Sequence, residues 1–287
     1  MQLAWLNGEW TPLEAARISP LDRGFLFGDG VYEVIPVYRR RLFAFGPHLT
    51  RLRHSLHATG IANPHTDEEW RQLCETLVER HPWEDQFIYL QVTRGVQPKR
   101  DHLPDDCLVP TVFAYTNELK PVSEAILRKG IHCITAEDIR WRRCDIKAIT
   151  LLPNVMLKMQ ARAAGADDAI LIRDGLVSEG TASNVMIVEG DRLSTPPLDH
   201  ALLGGITRQI LLQVARDAGL EVREEAITEQ RLAQADEIWL TSSTKEALPV
   251  AMLNGQPVGT GRPGPVWQRL RQAFHAAREQ WMEQNHE

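Results

Sequence analysis

The sequence predicts an α+β fold in two domains, on three observations. Strand-like and helix-like segments mix without strict βαβ alternation, which favours α+β layers over a doubly wound sheet. Amphipathic segments with helix start and stop signals occur in both halves. Between the halves, residues 117–125 turn polar around Pro121 and Ser123, the composition of a linker. The expected organisation is an N-terminal α/β domain over 1–117, a linker over 118–125 and a C-terminal domain over 126–287. A chain of 287 residues, 43% hydrophobic and 24% charged, is long enough for this.

In chain order, Asn7-Gly8 between β-formers predicts an opening hairpin. Ser19-Pro20-Leu21-Asp22-Arg23-Gly24 reads as a loop. After it, Gly28 and Gly30 allow close backbone approach, and residues 31–38 read as a strand. Tyr32, Val34 and Pro36 share one face of that strand; Val31 and Glu33 share the other. Pro47 opens a helix where its missing N–H costs nothing, and Gly60 closes it. Leu49, Leu52, Leu56 and Ala58 form its inward stripe, with Arg51 off the stripe. Thr66-Asp67-Glu68-Glu69 is a capping box before a second helix that turns Trp70, Leu73, Leu77 and Val78 inward. Residues 87–93 and 109–115 are strands, and the long polar loop between them carries Arg100 and His102. Long loops in compact domains are often functional.

In the second half, residues 138–152 carry a basic, aromatic segment, then Lys147, then an apolar run. A helix is expected over 154–164, and strands over 169–172 and 185–188 flanking a loop at 174–184. Gly204-Gly205 leads into a helix over 206–218. A strand at 237–241 runs into Thr241-Ser242-Ser243-Thr244, Asn254-Gly255 makes a turn, and an amphipathic helix closes the chain over 266–282.

Thirty-two Lys and Arg against 38 Asp and Glu leave a net charge of −6, which disfavours general binding to nucleic acid or anionic membrane. Arg39-Arg40-Arg41 runs straight into Leu42 and Phe43 and reads as a turn. Cys74, Cys107, Cys133 and Cys144 are scattered without metal-site spacing. No signal-like start and no bilayer-length apolar run is present, so the reading is a reduced, cytoplasmic protein. His54 and His57 are three apart, but no acidic or cysteine third ligand is near, so no metal is expected.

Several residues point to one chemistry. A lysine held among apolar residues is a nucleophile toward carbonyls; a strand-edge lysine facing water is the alternative for Lys147. The Gly204-Gly205 helix start and the hydroxyl-rich Thr241–Thr244 turn suit a phosphate, although plain capping would also account for them. Neither a P-loop nor a GxGxxG fingerprint is present. Glu179 lies among small polar residues, either as a turn carboxylate or as an acid fit to keep a ring nitrogen protonated. Arg100 and His102 could converge on a carboxylate or sit as a solvated pair. An imine-forming lysine, a ring-nitrogen acid, two phosphate-compatible loops and a carboxylate grip together describe pyridoxal phosphate acting on an amino acid.

Nine segments in order resemble one family. They are Asp22-Arg23-Gly24, Phe27-Gly28-Asp29-Gly30-Val31-Tyr32-Glu33-Val34, Gln91-Val92-Thr93-Arg94-Gly95, Asp138-Ile139-Arg140-Trp141, Arg143-Cys144-Asp145-Ile146-Lys147, Glu179-Gly180, Ser183-Asn184-Val185, Gly205-Ile206-Thr207-Arg208 and Thr241-Ser242-Ser243. Over nearly the whole chain they resemble the fold-type IV pyridoxal-phosphate enzymes, and among these the D-amino acid (D-alanine) transaminases. The resemblance implies two domains, each a mixed sheet or barrel with helices. It implies that Lys147 forms the cofactor aldimine and moves the substrate α-proton, and that Glu179 pairs with the ring nitrogen. Arg51, the amides of Ile206 and Thr207, and Ser242 and Ser243 would hold the phosphate, with Leu203 on the ring face. Tyr32, Arg100 and His102 would grip the α-carboxylate, the last two from a neighbouring subunit of a homodimer with shared active sites. Substrates would be small: an amino acid and a 2-oxo acid. Ala182, Ser243 and Pro153 depart from the subfamily's usual serine, threonine and glycine. Branched-chain L-amino acid aminotransferases and aminodeoxychorismate lyases share the fold and are the alternatives.

Overall fold

The computed structural model describes residues 2–284. Its contacts divide the chain into two compact units. The first is the chain up to Lys120 together with Ile146–Leu151; the second is Pro121–Asp145 together with the chain from Leu152 onward.

The first unit contains β1 (Leu3–Leu6), β2 (Glu9–Pro12), α1 (Arg23–Phe27), β3 (Gly30–Tyr38), β4 (Arg41–Leu42), α2 (Phe45–Thr59), α3 (Asp67–Glu79), β5 (Gln86–Thr93) and β6 (Thr111–Glu118). Among the described residues it builds a six-stranded antiparallel sheet ordered β2-β1-β6-β5-β3-β4. The Asn7-Gly8 turn joins β1 to β2, as local turn chemistry predicts. Helix α2 starts two residues before Pro47 and ends at Gly60 in the left-handed region. The Thr66 capping box forms in both directions: the Glu69 amide donates to Thr66 Oγ1 at 3.2 Å, and the Thr66 amide donates to Glu69 Oε2 at 2.7 Å. Leu49, Leu52 and Leu56 of α2 and Trp70, Leu73, Leu77 and Val78 of α3 pack into one core with Val31, Ile35 and Val37 of β3.

The same core holds Ile146 and Ala148. This short segment lies along β3: the Tyr32 amide donates to the Lys147 carbonyl at 3.0 Å, and the Ile149 amide donates to the Gly30 carbonyl at 3.1 Å. Lys147 is therefore part of the first unit, whereas the sequence reading assigned it to a C-terminal domain over 126–287. The physical reason is burial: apolar side chains on either side of Lys147 complete a core whose other members run from Val31 to Ala114. The unit boundary falls between Lys120 and Pro121.

The second unit contains α4 (Glu124–Lys129), β7 (Ile131–Glu137), α5 (Leu152–Ala163), β8 (Asp168–Arg173), β9 (Leu176–Gly180), β10 (Asn184–Glu189), β11 (Arg192–Thr195), α6 (Ile206–Asp217), β12 (Glu221–Glu224), α7 (Glu229–Gln234), β13 (Glu237–Ser242), β14 (Glu246–Leu253), β15 (Gln256–Pro257) and α8 (Pro265–Gln284). Among the described residues its sheet has nine strands, ordered β12-β11-β10-β13-β14-β7-β8-β9 with β15 on β14. Parallel pairs (β11–β12, β14–β7, β7–β8) and antiparallel pairs are mixed. Helices and sheets thus combine in both units, the α+β class expected. The expected loop at 174–184 contains a strand instead: β9 pairs antiparallel with β8 and carries Glu179.

Candidate active site

In the first unit, β3 presents alternating side chains to two environments. On one face Tyr32 stacks on Tyr89, with ring centroids 5.6 Å apart, and Lys147 Nζ stands 4.1 Å from the Tyr32 ring centroid. An ammonium over an aromatic face is held electrostatically by the ring. The Lys147 backbone is fixed as well, its amide donating to the buried Ser55 Oγ at 3.2 Å. Lys147 is half-buried, not a strand-edge lysine in open solvent.

The other face buries Glu33 completely. Arg51 Nε donates to Glu33 Oε1 at 2.7 Å and Arg51 Nη2 to Glu33 Oε2 at 2.8 Å, a bidentate pair. His48 Nδ1 lies 2.8 Å from Glu33 Oε2. Burial works against the Glu33 charge, yet Arg51 and His48 hold its carboxyl well below the ordinary carboxylate range. Burial also depresses His48, against the opposing pull of Glu33. Arg51, the expected phosphate ligand, is thus held from α2 by an acid on β3. Sequence reasoning placed Glu33 beside Val31 but gave it no role. The available signal was an acid on the strand face shared by Val31 and Ile35.

Arg100 and His102 gather at another aromatic side chain. The Arg100 guanidinium lies 4.9 Å from the Phe27 ring centroid, and the His102 ring centroid lies 5.4 Å from it. Both side chains are exposed.

In the second unit, Glu179 is buried near the end of β9, and Arg140 Nη1 donates to its Oε1 in a close contact. The Leu203 amide donates to Glu179 Oε2 at 3.0 Å, and Asn184 Nδ2 lies 3.3 Å from the same oxygen. Asn184 Nδ2 also donates to the Leu203 carbonyl at 2.7 Å, so one side chain sets both the acid and the Leu203 loop. Arg140 is itself buried and grips Asp138 twice, through Nε and Nη2, both at 2.8 Å. Arg173 and Ser178 complete the Asp138 shell at 2.9 and 2.8 Å. Burial raises the Glu179 carboxyl above its ordinary value, against the pull of Arg140 and the Leu203 amide. Burial opposes the Arg140 charge, but Asp138 and Glu179 hold the guanidinium firmly ionised. The sequence points the Arg140–Arg143 segment toward the cofactor cleft or a subunit interface without a role for any one of its residues; the structure singles out Arg140 as the buried partner of Glu179.

Close by, Asn184 sits opposite Thr241 in the β10–β13 register. Helix α6 begins at Ile206 and Thr207, its N-cap Gly205 offering no side-chain cap. A side chain at Gly205 is excluded, since a Cβ there would come within 2.0 Å of Asn184 Oδ1. Ser242 and Ser243 lie at the β13–β14 turn. Arg208, by contrast, points its charge at Glu224 (2.9 Å) and the Pro196 carbonyl (2.8 Å). Among the described residues no group of three or more His, Cys, Asp and Glu side chains could hold a metal.

Comparisons with known proteins identify the family. The profile of the family described as Amino-transferase class IV matches residues 30–253, and the chain belongs to that family. It is 42% identical over 269 residues to the D-alanine aminotransferase of Bacillus licheniformis, covering 93% of this chain and 94% of that protein. It is 39% identical over 270 residues to the D-alanine aminotransferase of Listeria monocytogenes, covering 94% and 93%. Among solved structures, the branched-chain amino acid aminotransferase of Escherichia coli superposes with a TM-score of 0.91 at 25% identity, covering 96% and 94%. The branched-chain amino acid aminotransferase of T.th., solved with pyridoxamine 5′-phosphate, gives 0.90 at 28%, covering 96% and 93%. The protein is a pyridoxal-phosphate-dependent aminotransferase.

The residues of the second unit fit that cofactor. Thr241 Oγ1 and Ser183 Oγ are buried without a hydrogen-bond partner among the described residues; Ser183 precedes Asn184 and Thr241 pairs with it across the sheet, and Asn184 Oδ1 faces Gly205 at the start of α6, whose first amides lack a side-chain cap. Buried polar atoms without partners are costly, and a phosphate at a helix N-terminus satisfies such groups. Glu179 is a buried carboxylate that would suit a ring N–H.

Proposed function

We propose that the protein transfers an amino group from a D-amino acid, such as D-alanine or D-glutamate, to a 2-oxo acid in a ping-pong cycle. The observation that carries this reading is Lys147 Nζ, half-buried over Tyr32 in a chain 42% identical to a D-alanine aminotransferase. Pyridoxal phosphate, when bound, supplies an electron sink for the charge left at the substrate Cα. The chain's residues do the rest. Lys147 Nζ would hold the cofactor covalently and, as a free amine, would take the substrate α-proton. Glu179 keeps a proton on the ring nitrogen. Arg51, the amides of Ile206 and Thr207, and Ser242 and Ser243 hold the phosphate, with Leu203 on the ring face. Tyr32, Arg100 and His102 take the substrate α-carboxylate.

The active form is a homodimer in which Arg100 and His102 serve the neighbouring subunit. Supporting this, the exposed residues around that loop include Leu103 at 77%, Val109 at 82% and Phe25 at 68%, apolar surface that a second copy would cover. The protein works in the cytoplasm; its four cysteines are free, and among the described residues no helix is long and apolar enough to cross a membrane.

Branched-chain L-amino acid transamination is the second reading, favoured by the superpositions and disfavoured by their lower identity. Purified protein is offered D-alanine with 2-oxoglutarate, L-leucine with 2-oxoglutarate, and aminodeoxychorismate. Turnover of D-alanine is expected; turnover of L-leucine alone, or of aminodeoxychorismate alone, overturns the D-amino acid assignment. Lys147→Ala should lose both transamination and the absorbance band of a lysine-bound cofactor.

A further inference from the structure

The Asp22-Arg23-Gly24 and Phe27-Gly28-Asp29-Gly30 motifs have no role in the chemistry described so far. In the structure they build α1 and the turn after it. Asp22 caps α1 by accepting from the Gly24 amide at 2.8 Å, and its second oxygen accepts from Thr93 Oγ1 at 3.0 Å. Gly24 has to lack a side chain, because a Cβ there would come within 2.3 Å of Thr93 Cγ2. This packing ties α1 against the end of β5, where the Arg100 loop begins. The base of the loop is laddered to the same segment: the Arg23 amide donates to the Gly95 carbonyl at 2.9 Å and the Gln97 amide to the Leu21 carbonyl at 3.3 Å.

Arg23 is only 4% exposed. Its Nε donates to Asp29 Oδ2 at 2.8 Å, which in turn accepts from Arg94 Nε at 2.8 Å. Its two terminal nitrogens leave the Asp29 pair and enter the loop. Nη1 donates to the Asp101 carbonyl at 2.7 Å and to Gln97 Oε1 at 3.0 Å; Nη2 donates to the His102 carbonyl at 2.9 Å. One buried guanidinium therefore binds the two backbone carbonyls that follow Arg100. One helical turn on, Phe27 supplies the ring at which the Arg100 guanidinium and the His102 ring gather. Arg23 and Phe27 are four apart, so one short helix face addresses both backbone and side chains of the loop.

We infer that Arg23 is a positioning residue for substrate: with Phe27 it holds the 97–104 loop so that Arg100 and His102 present a preformed carboxylate grip. The inference rests on the reading that Arg100 and His102 bind the α-carboxylate. A grip on a long loop loses affinity when it must be ordered at each binding event, and a fixed loop avoids that loss. A lysine at position 23 keeps the charge beside Asp29 but cannot fork across two carbonyls and Gln97.

The test uses the cofactor-loaded enzyme with three variants. For Arg23→Lys, KM for D-alanine and for the 2-oxo acid should each rise about tenfold, with kcat within about threefold of wild type, the signature of lost binding rather than lost chemistry. Amide hydrogen exchange should speed up over 97–104 and stay unchanged in β3, β5 and β6, cofactor absorbance being unaltered. Phe27→Leu, which spares the buried network, should raise KM severalfold and decides the matter where Arg23→Lys does not fold. Arg100→Met tests the underlying reading by itself: an unchanged KM there refutes the carboxylate grip, and the exchange data then still judge the tie between Arg23 and the loop. If Arg100→Met raises KM while Arg23→Lys and Phe27→Leu leave KM and loop exchange at wild-type values, the positioning role is wrong. A rise in exchange across the whole sheet, with kcat falling in step, also overturns it.

Discussion

Replacing Arg140 by Met removes the cation that, among the described residues, grips both Asp138 and Glu179. Asp138 keeps Arg173, Ser178 and the residue-140 amide, at 2.9, 2.8 and 3.1 Å, so its charge remains compensated. Glu179 fares worse, losing the partner of Oε1 and keeping only the donors on Oε2, the Leu203 amide and Asn184. Stripping one partner from a buried pair costs about 3–5 kcal/mol; with two donors left, the lower end, about 3 kcal/mol, is expected. At roughly 2–4 °C per kcal/mol for a chain of this size, the melting temperature should fall by about 6–12 °C at pH 8. The pH dependence has a definite sign. Glu179 already binds its proton more readily than an ordinary glutamate, because burial raises it, and loss of Arg140 raises it further. A carboxyl with a raised folded-state pKa is harmless below its unfolded value and costs stability as pH rises through the folded one. The deficit of Arg140→Met should therefore be largest at pH 8 and shrink on acidification toward pH 4. Thermal melts of cofactor-free wild type and variant at both pH values read this directly. A loss under 1 kcal/mol at pH 8, or a deficit that grows on acidification, would refute the assignment of Arg140 as the charge partner of Glu179.

Two other perturbations test the rest of the site. Glu33→Gln breaks the bidentate pair with Arg51 and should cost about 3–5 kcal/mol at pH 7. Because the Glu33 carboxyl is held low, its contribution is present above the ordinary glutamate value of about 4.3 and fades as pH falls below it, so wild type and variant should converge in acid; urea midpoints across pH 3–7 would show this. Gly205→Ala forces a Cβ toward Asn184 Oδ1 at the start of α6, so the cofactor dissociation constant should rise at least about tenfold while far-ultraviolet circular dichroism stays unchanged; an unaltered constant, measured by fluorescence titration, would remove the α6 amides from the phosphate site.

Elements set by local interactions were legible in the sequence. The Thr66–Glu69 box, the Gly60 helix end and the Asn7-Gly8 turn each form between residues a few positions apart, and each occurs where it is predicted. Strand β9 was not legible, because Ser178, Glu179 and Gly180 have little strand preference and become a strand only through pairing with β8. Strand β14 is flanked by β13 and β7 yet contains Pro249, a residue that argues against a central strand when read alone.

By itself the sequence determined the α+β class and the family, because side-chain chemistry and short-range turn and cap signals are written in neighbouring residues. Only the tertiary structure decided that Lys147 belongs to the first unit, that Glu33 and Arg140 are buried partners of Arg51 and Glu179, and that Arg23 ties down the Arg100 loop. Each of these is a contact across tens of positions or more, except the Glu33–Arg51 pair at eighteen. A charged residue read alone looks solvated, and its burial depends on a partner that only the folded chain brings to it.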